Sequence, residues 1–235
     1  MTALPTDNPQ LRRVGSFHEL VTTRFANGVN ALCWERTLPG DYAEVVARLG
    51  ASNSDPIVTL DEGRLRALPL SAAGRIAVEQ MLADLRLLRD HALDPVLNCI
   101  HGYPRDEEAG PVPVDVFSFH ADSAPVEADT FLCTYFGPSS EGLRNEEARR
   151  RVDVPETRAA LVAQFGGADN DDFRAHLTEQ CYDLHYAPLP HARPFAFGPG
   201  NLWRLAIRHP DSAVPPCIHR APATTPGQSR LLLIS

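Results

Sequence analysis

A chain of 235 residues with 43% hydrophobic and 22% charged residues can build one sizeable core, and its composition excludes a disordered or coiled-coil protein. A formal charge of −8 leaves no cationic footprint for phosphate backbones, so DNA and RNA are excluded as expected partners. No apolar run reaches the roughly 20 residues that cross a bilayer, and the start MTALPTDNPQLRR has no apolar signal core, so no membrane partner and a cytoplasmic location are expected.

Residues 1–28 show weak periodicity and read as an N-terminal arm, followed by a first strand over 29–34 (VNALCW). Residues 41–49 (DYAEVVARL) read as a short helix, with Asp41 at its start and Gly50 as its stop. A longer helix follows, capped by Ser71, with Val78, Leu82 and Leu85 at helical spacing until Asp94-Pro95 ends it.

From Pro95 the texture changes to short β-like runs, 96–100 (VLNCI), 112–120 (VPVDVFSFH) and 131–136 (FLCTYF). The alternation in the second run predicts a strand with Val112, Val114, Val116, Ser118, His120 and Asp122 on one face. Residues 139–195 are charged, with helical fragments and no strand signal, and read as an insertion or lid in which Asn170 and the following aspartates cap a helix. Strands resume at 201–207, 217–220 and 229–234, with Gly198-Pro199-Gly200 and Thr225-Pro226-Gly227 as turns. The 21 prolines also favour short strands and many turns over a helical bundle. The five cysteines are odd in number and form no C-x-x-C pair, which fits reduced, mostly buried thiols. One domain with a mainly β (α+β) core is expected.

His120 and Asp122, one residue apart on an expected strand, leave the same face and can grip one cation. His219 is the best third ligand, and two histidines with one carboxylate form the facial triad that suits iron(II) with positions left open. Ten residues separate His219 from Arg230, so a strand, a turn and a return strand would bring that guanidinium beside the metal, where it can grip a carboxylate. Arg220 is a rival clamp, although neighbours on a strand point to opposite faces. Tyr135, Trp203 and Arg208 lie on expected core strands, Tyr135 as a cofactor contact and Trp203 and Arg208 as substrate contacts, with plain packing as the alternative. His176, Cys181, His185 and His191 fit no compact zinc motif and read as loop residues or substrate contacts. Phosphate loops and serine-hydrolase elbows are absent from the sequence.

His120-x-Asp122, His219 and Arg230 resemble the H-x-D…H-x10-R signature of the iron(II)/2-oxoglutarate dioxygenase superfamily. The blocks NALCWER, FHADSAPVEADTFLCTYFGP and CIHRAP…SRLLLIS resemble the DUF1826 family more closely. The superfamily resemblance implies a double-stranded β-helix (jelly-roll, cupin-like) core, iron(II) as cofactor, and 2-oxoglutarate and dioxygen as cosubstrates. It also implies oxidation of a small molecule, such as an amino acid, by hydroxylation, desaturation or ring closure. Two rival readings are a cupin-like oxygenase that needs no 2-oxoglutarate and a non-catalytic metal-handling protein.

Overall fold

The computed structural model describes residues 4–5, 7–50, 55–103, 110–225 and 227–235; Pro226 of the expected last turn and residues 1–3 and 6 of the expected arm lie outside these. The N-terminal part contains β1 (Leu11–Val14), α1 (Phe17–Thr22), β2 (Ala31–Trp34), α2 (Tyr42–Leu49), β3 (Ile57–Thr59), α3 (Glu62–Arg66) and α4 (Ala72–Asp90). Then come β4 (Val96–Ile100), β5 (Phe119–His120), β6 (Asp129–Phe136), β7 (Glu141–Leu143) and β8 (Ala148–Arg150). The remainder is α5 (Pro155–Phe165), α6 (Asp171–Glu179), β9 (His185–Pro188), β10 (Phe195–Ala196), β11 (Leu202–Ala206), β12 (Ile218–Arg220) and β13 (Arg230–Ile234).

The strands form two sheets, one in the order β1-β2-β11-β6-β13-β4-β3 and one in the order β10-β7-β12-β5-β9-β8. The β-rich core is therefore present, within a mixed α/β fold. From β4 to β7 each successive strand joins the other sheet, and from β10 to β13 the chain alternates again. Four of the six pairings between neighbouring strands in the larger sheet and the β12 pairings in the smaller one join residues about 70 or more apart in sequence, so neither sheet can form locally.

The helices start where short polar side chains satisfy free N–H groups: Asp41 accepts from Glu44 N, Ser71 from Gly74 N and Asn170 from Phe173 N. Helix α4 lays Val78, Met81, Leu82 and Leu85 on one face of the large sheet, against Phe131, Cys133, Leu231 and Leu233. Alternation along the strands puts Leu132, Trp203, Leu205 and Leu232 on the opposite face, where they pack with Phe197 and Cys217 of segments flanking the small sheet. Helices, large sheet and small sheet thus make three layers.

Beneath α4 lies a buried ion pair. Arg36 meets Asp84 through two bonds of 2.7 and 2.9 Å, and Tyr135 donates to the same carboxylate at 2.7 Å. The N-terminal arm is also tied in: β1 runs parallel to β2, and Arg204 donates to the carbonyls of Leu20, Val21 and Thr23 at the end of α1 while pairing with Asp129.

Two expectations are corrected. Residues 112–118 are not a strand, because Asp115 folds the chain by accepting from Phe117 N and Ser118 N, leaving Val114 and Val116 exposed. Residues 139–195 are not strand-free, since they supply β7, β8, β9 and the start of the β10 segment, four strands of the small sheet with helices α5 and α6 between them.

Candidate metal centre

His120 ends the two-residue strand β5, and the chain then leaves the small sheet for β6. The backbone holds this departure on both sides: Ala121 N donates to Leu184 O at 3.0 Å and Arg208 N to Asp122 O at 2.9 Å. Asp122 therefore keeps the side of the chain that His120 faces. His219 reaches the same place from β12, where it stands directly opposite His120 in an antiparallel pair, and directly opposed residues point to one face. The approach to β12 is pinned by buried Asn30, whose amide donates to Asn145 Oδ1 and to the carbonyls of Pro215 and Pro216.

The ligand atoms of His120, Asp122 and His219 lie within 4.8 Å of one another, the one such set of His, Cys, Asp or Glu found among the described residues. His120 Nε2 is 3.9 Å from Asp122 Oδ1, and His219 Nε2 is 3.7 Å from Asp122 Oδ2. The two Nδ1 atoms face backbone carbonyls, Ser118 O at 2.7 Å and Cys217 O at 3.3 Å. Donation from Nδ1–H to those carbonyls leaves each Nε2 lone pair directed into the cluster, the tautomer a cation requires. Thr130 donates to Asp122 Oδ2 and orients the carboxylate.

Burial pushes the His120 imidazole down to about 4, and neighbouring His219 adds to the shift. Burial raises the Asp122 carboxyl, but His219, the Thr130 hydroxyl and His120 outweigh it and hold the group below the usual range. A neutral His120 imidazole beside an ionised Asp122 carboxylate suits a metal-binding set, whose ligands must be free of protons. The donor chemistry, two imidazole nitrogens and one carboxylate, fits iron(II) with open positions.

The other expected site residues separate into three groups. Arg230 lies in the layer between the sheets, 1% exposed, donating to Tyr103 Oη at 3.0 Å, Thr134 Oγ1 at 3.1 Å and Ser140 Oγ at 2.7 Å. Its Nε has no partner, and no carboxylate of the described residues pairs with it. Ser140 precedes Gly142 by two residues, and Gly142 stands opposite His219, so Arg230 touches the small sheet about 7 Å along from the cluster. Arg208 is at the rim, holding the Asp122 backbone and pairing with Asp183.

Three expected contacts are corrected. Tyr135 faces α4 and bonds Asp84, on the opposite side of the large sheet from Arg230. Trp203 is fully buried packing, stacked on Phe197 at 4.3 Å with its indole N–H on Phe197 O. Arg220 points away from His219, bonded to Glu141 and lying over the Phe119 ring at 4.3 Å.

A cleft of about 220 Å³ opens beside the cluster, lined by His120, Asp122, Ser123, Asp115, Cys181 and His185. His185 and Cys181 thus reach the site, whereas His176 packs on Phe165 at 5.1 Å. A larger hollow of about 410 Å³ around Arg24, Phe25 and His209 contains none of the three cluster residues. Tyr103, Ser140, Thr134 and Thr130 were missed from sequence because isolated hydroxyls carry no periodic signal; their hydrogen bonds to Arg230 and Asp122 identify them. Turn geometry also matters: Gly137 has φ +81°, and a Cβ there would lie 2.4 Å from Ser229 O, next to Arg230.

No family model, no curated protein and no solved structure matches this chain. Among the described residues, no helix is long and apolar enough to cross a membrane.

Burial also pushes His185 down to about 4. Both His120 and His185 are then harder to protonate folded than unfolded, where a histidine titrates near 6.5. The unfolded chain binds more protons between these values, so stability falls as pH drops from about 6.5 toward 4. Urea unfolding of the metal-free protein should show a midpoint that declines through this window, with a smaller decline in His185→Phe; a flat midpoint would contradict the burial argument.

Proposed function

We propose that this protein is a jelly-roll, iron(II)- and 2-oxoglutarate-dependent oxygenase that oxidises a small metabolite. The strand succession supports the fold: eight strands, β4–β7 and β10–β13, fall into interleaved orders β11-β6-β13-β4 and β10-β7-β12-β5, as in two halves of a double-stranded β-helix. In that arrangement His120 and His219 lie side by side on the small sheet and Arg230 opens the last strand of the large one.

The observation that carries the reading is Arg230. An isolated buried cation is costly unless an anion meets it, and its three partners are neutral hydroxyls. A diacid reaching from the cluster to Arg230 supplies that anion: one carboxylate is gripped by the guanidinium, with Tyr103 and Ser140 beside it, while the 2-oxo acid end faces His120, Asp122 and His219.

Bound iron(II) would supply dioxygen reduction coupled to loss of carbon dioxide from 2-oxoglutarate. For hydroxylation, substrate R–H, dioxygen and 2-oxoglutarate give R–OH, succinate and carbon dioxide. One oxygen atom enters the hydroxyl and the other the new succinate carboxylate. The chain's own contribution is orientation: His120, Asp122 and His219 fix one face of the cation, Thr130 steadies the carboxylate, and the cleft beside His185 sets which C–H bond lies nearest.

Anaerobic titration with iron(II) and 2-oxoglutarate tests this directly. A weak visible charge-transfer band is expected in the wild type, absent from His120→Ala and His219→Ala, and succinate should form when air is admitted. A folded wild type without a band would overturn the proposal. Iron-dependent oxidation without succinate would point to a cupin-like oxygenase, and a closed four-ligand zinc site to a metal-handling protein.

A further inference from the structure

The small sheet carries more chemistry than its metal ligands. His219 pairs with His120 across β12 and β5, and His120 pairs in turn with His185 across β5 and β9. Directly opposed residues share a face, so three histidines stand in one row across three adjacent strands. Their rings are 4.7 Å and 5.8 Å apart, centroid to centroid. The first two are ligands by position. The third is outside the ligand set, 6% exposed, on the wall of the cleft, and its Nδ1 has no hydrogen-bond partner.

The row continues beyond His185. Strand β8 pairs with β9 so that its last residue, Arg150, is opposite Tyr186, and Arg151 follows directly. A 3-10 turn over Arg151–Asp153 begins there and packs against β9. Arg151 is half-buried, its Nε has no partner, and it forms no ion pair with the described residues. Its positive charge is felt at His185, helping to keep that ring neutral. Asp183 forms no ion pair with Arg151: its Oδ2 is engaged by Arg208 and Thr178, and its buried Oδ1 has no partner.

An unsatisfied buried imidazole and an unpaired guanidinium beside an open cation site call for the same missing group, an anion with hydrogen-bond acceptors. We infer that the substrate is a small acid whose carboxylate, or comparable oxyanion, is held by Arg151 and His185 while its reacting carbon faces the cation between His120 and His219. Two strand spacings, about 10 Å, separate β5 from β8, which Arg151 directly follows, so the anionic group and the reacting carbon are separated by only a few bonds. Substrate and 2-oxoglutarate are then bound at opposite ends of the cluster, by Arg151 and Arg230. The assignment rests on the oxygenase reading above.

The test is an anaerobic titration of the protein loaded with iron(II) and 2-oxoglutarate, read by perturbation of the visible band. The probes are the L-amino acids and short-chain carboxylic acids, each beside its uncharged amide. At least one acid should perturb the band and bind about tenfold or more tightly than its amide, as expected for one charge-assisted contact. Arg151→Gln and His185→Phe should weaken that acid by about tenfold each, with the band itself unchanged before acid is added, and Arg151→Lys should recover part of the loss. Acid and amide binding alike, variants that bind the acid as the wild type does, or no response to any acid would overturn the assignment. Absence of the band before any acid is added would instead overturn the iron and 2-oxoglutarate reading.

Discussion

Replacing Arg230 with methionine is expected to lower 2-oxoglutarate affinity by about a hundredfold or more while leaving the iron content and the fold intact. The magnitude follows from losing a bidentate charge-assisted contact, about 3 kcal/mol or more, at about 1.4 kcal/mol per tenfold. Stability should not suffer in parallel. In the metal-free protein Arg230 is a buried guanidinium with no carboxylate partner among the described residues, and burial holds its pKa below the ordinary arginine value. Methionine relieves that desolvation at similar length, and the hydroxyls of Tyr103, Thr134 and Ser140 can turn to one another. Thermal melts with and without 2-oxoglutarate check both halves: ligand raises the wild-type melting temperature through linkage, and that rise should vanish in Arg230→Met. A variant that keeps its ligand-induced shift would remove Arg230 from the binding site.

The largest loss of stability is expected far from the cluster, at Asp84. Asp84→Ala strands the Arg36 guanidinium beneath α4 and removes the acceptor of Tyr135 Oη. Breaking one side of a buried pair costs about 3–5 kcal/mol, which for a chain of this size lowers the melting temperature by roughly 10 °C or more. Tyr135→Phe should cost less, about 1–3 kcal/mol, because only one bond is lost. If Asp84→Ala melts within a degree or two of the wild type, the network is not holding α4 to the sheet. Neither substitution should alter iron binding, since Tyr135 and the cluster are on opposite sides of the large sheet.

Legibility in the sequence followed the source of each signal. Strands β4, β6, β11 and β13 are rich in apolar residues because most of their side chains are buried, and helices α2, α4 and α6 announce themselves by their capping residues. Residues 112–118 misled because the alternation of valines was opposed by one aspartate that makes its own local turn. Strands β7 to β10 were invisible for a different reason. They are two to four residues long and bear Glu141, Arg149 and Arg150 on exposed faces, so long-range pairing creates them without a local preference. The same applies to the site. His120, Asp122 and His219 were legible as a spacing, whereas His185 and Arg151 acquire meaning only once the β5–β9 register and the turn after β8 bring them to the same part of the small sheet.

The pairing of His120 with His219 joins points about a hundred residues apart in the chain. A cation shared between them acts as a removable cross-link across the larger part of the small sheet, comparable in principle to a disulfide closing a loop of that length, worth about 4–5 kcal/mol. Chelation would then reach beyond the site itself. It would loosen the seam between β5 and β12, so that metal supply governs how long the folded chain survives proteolysis.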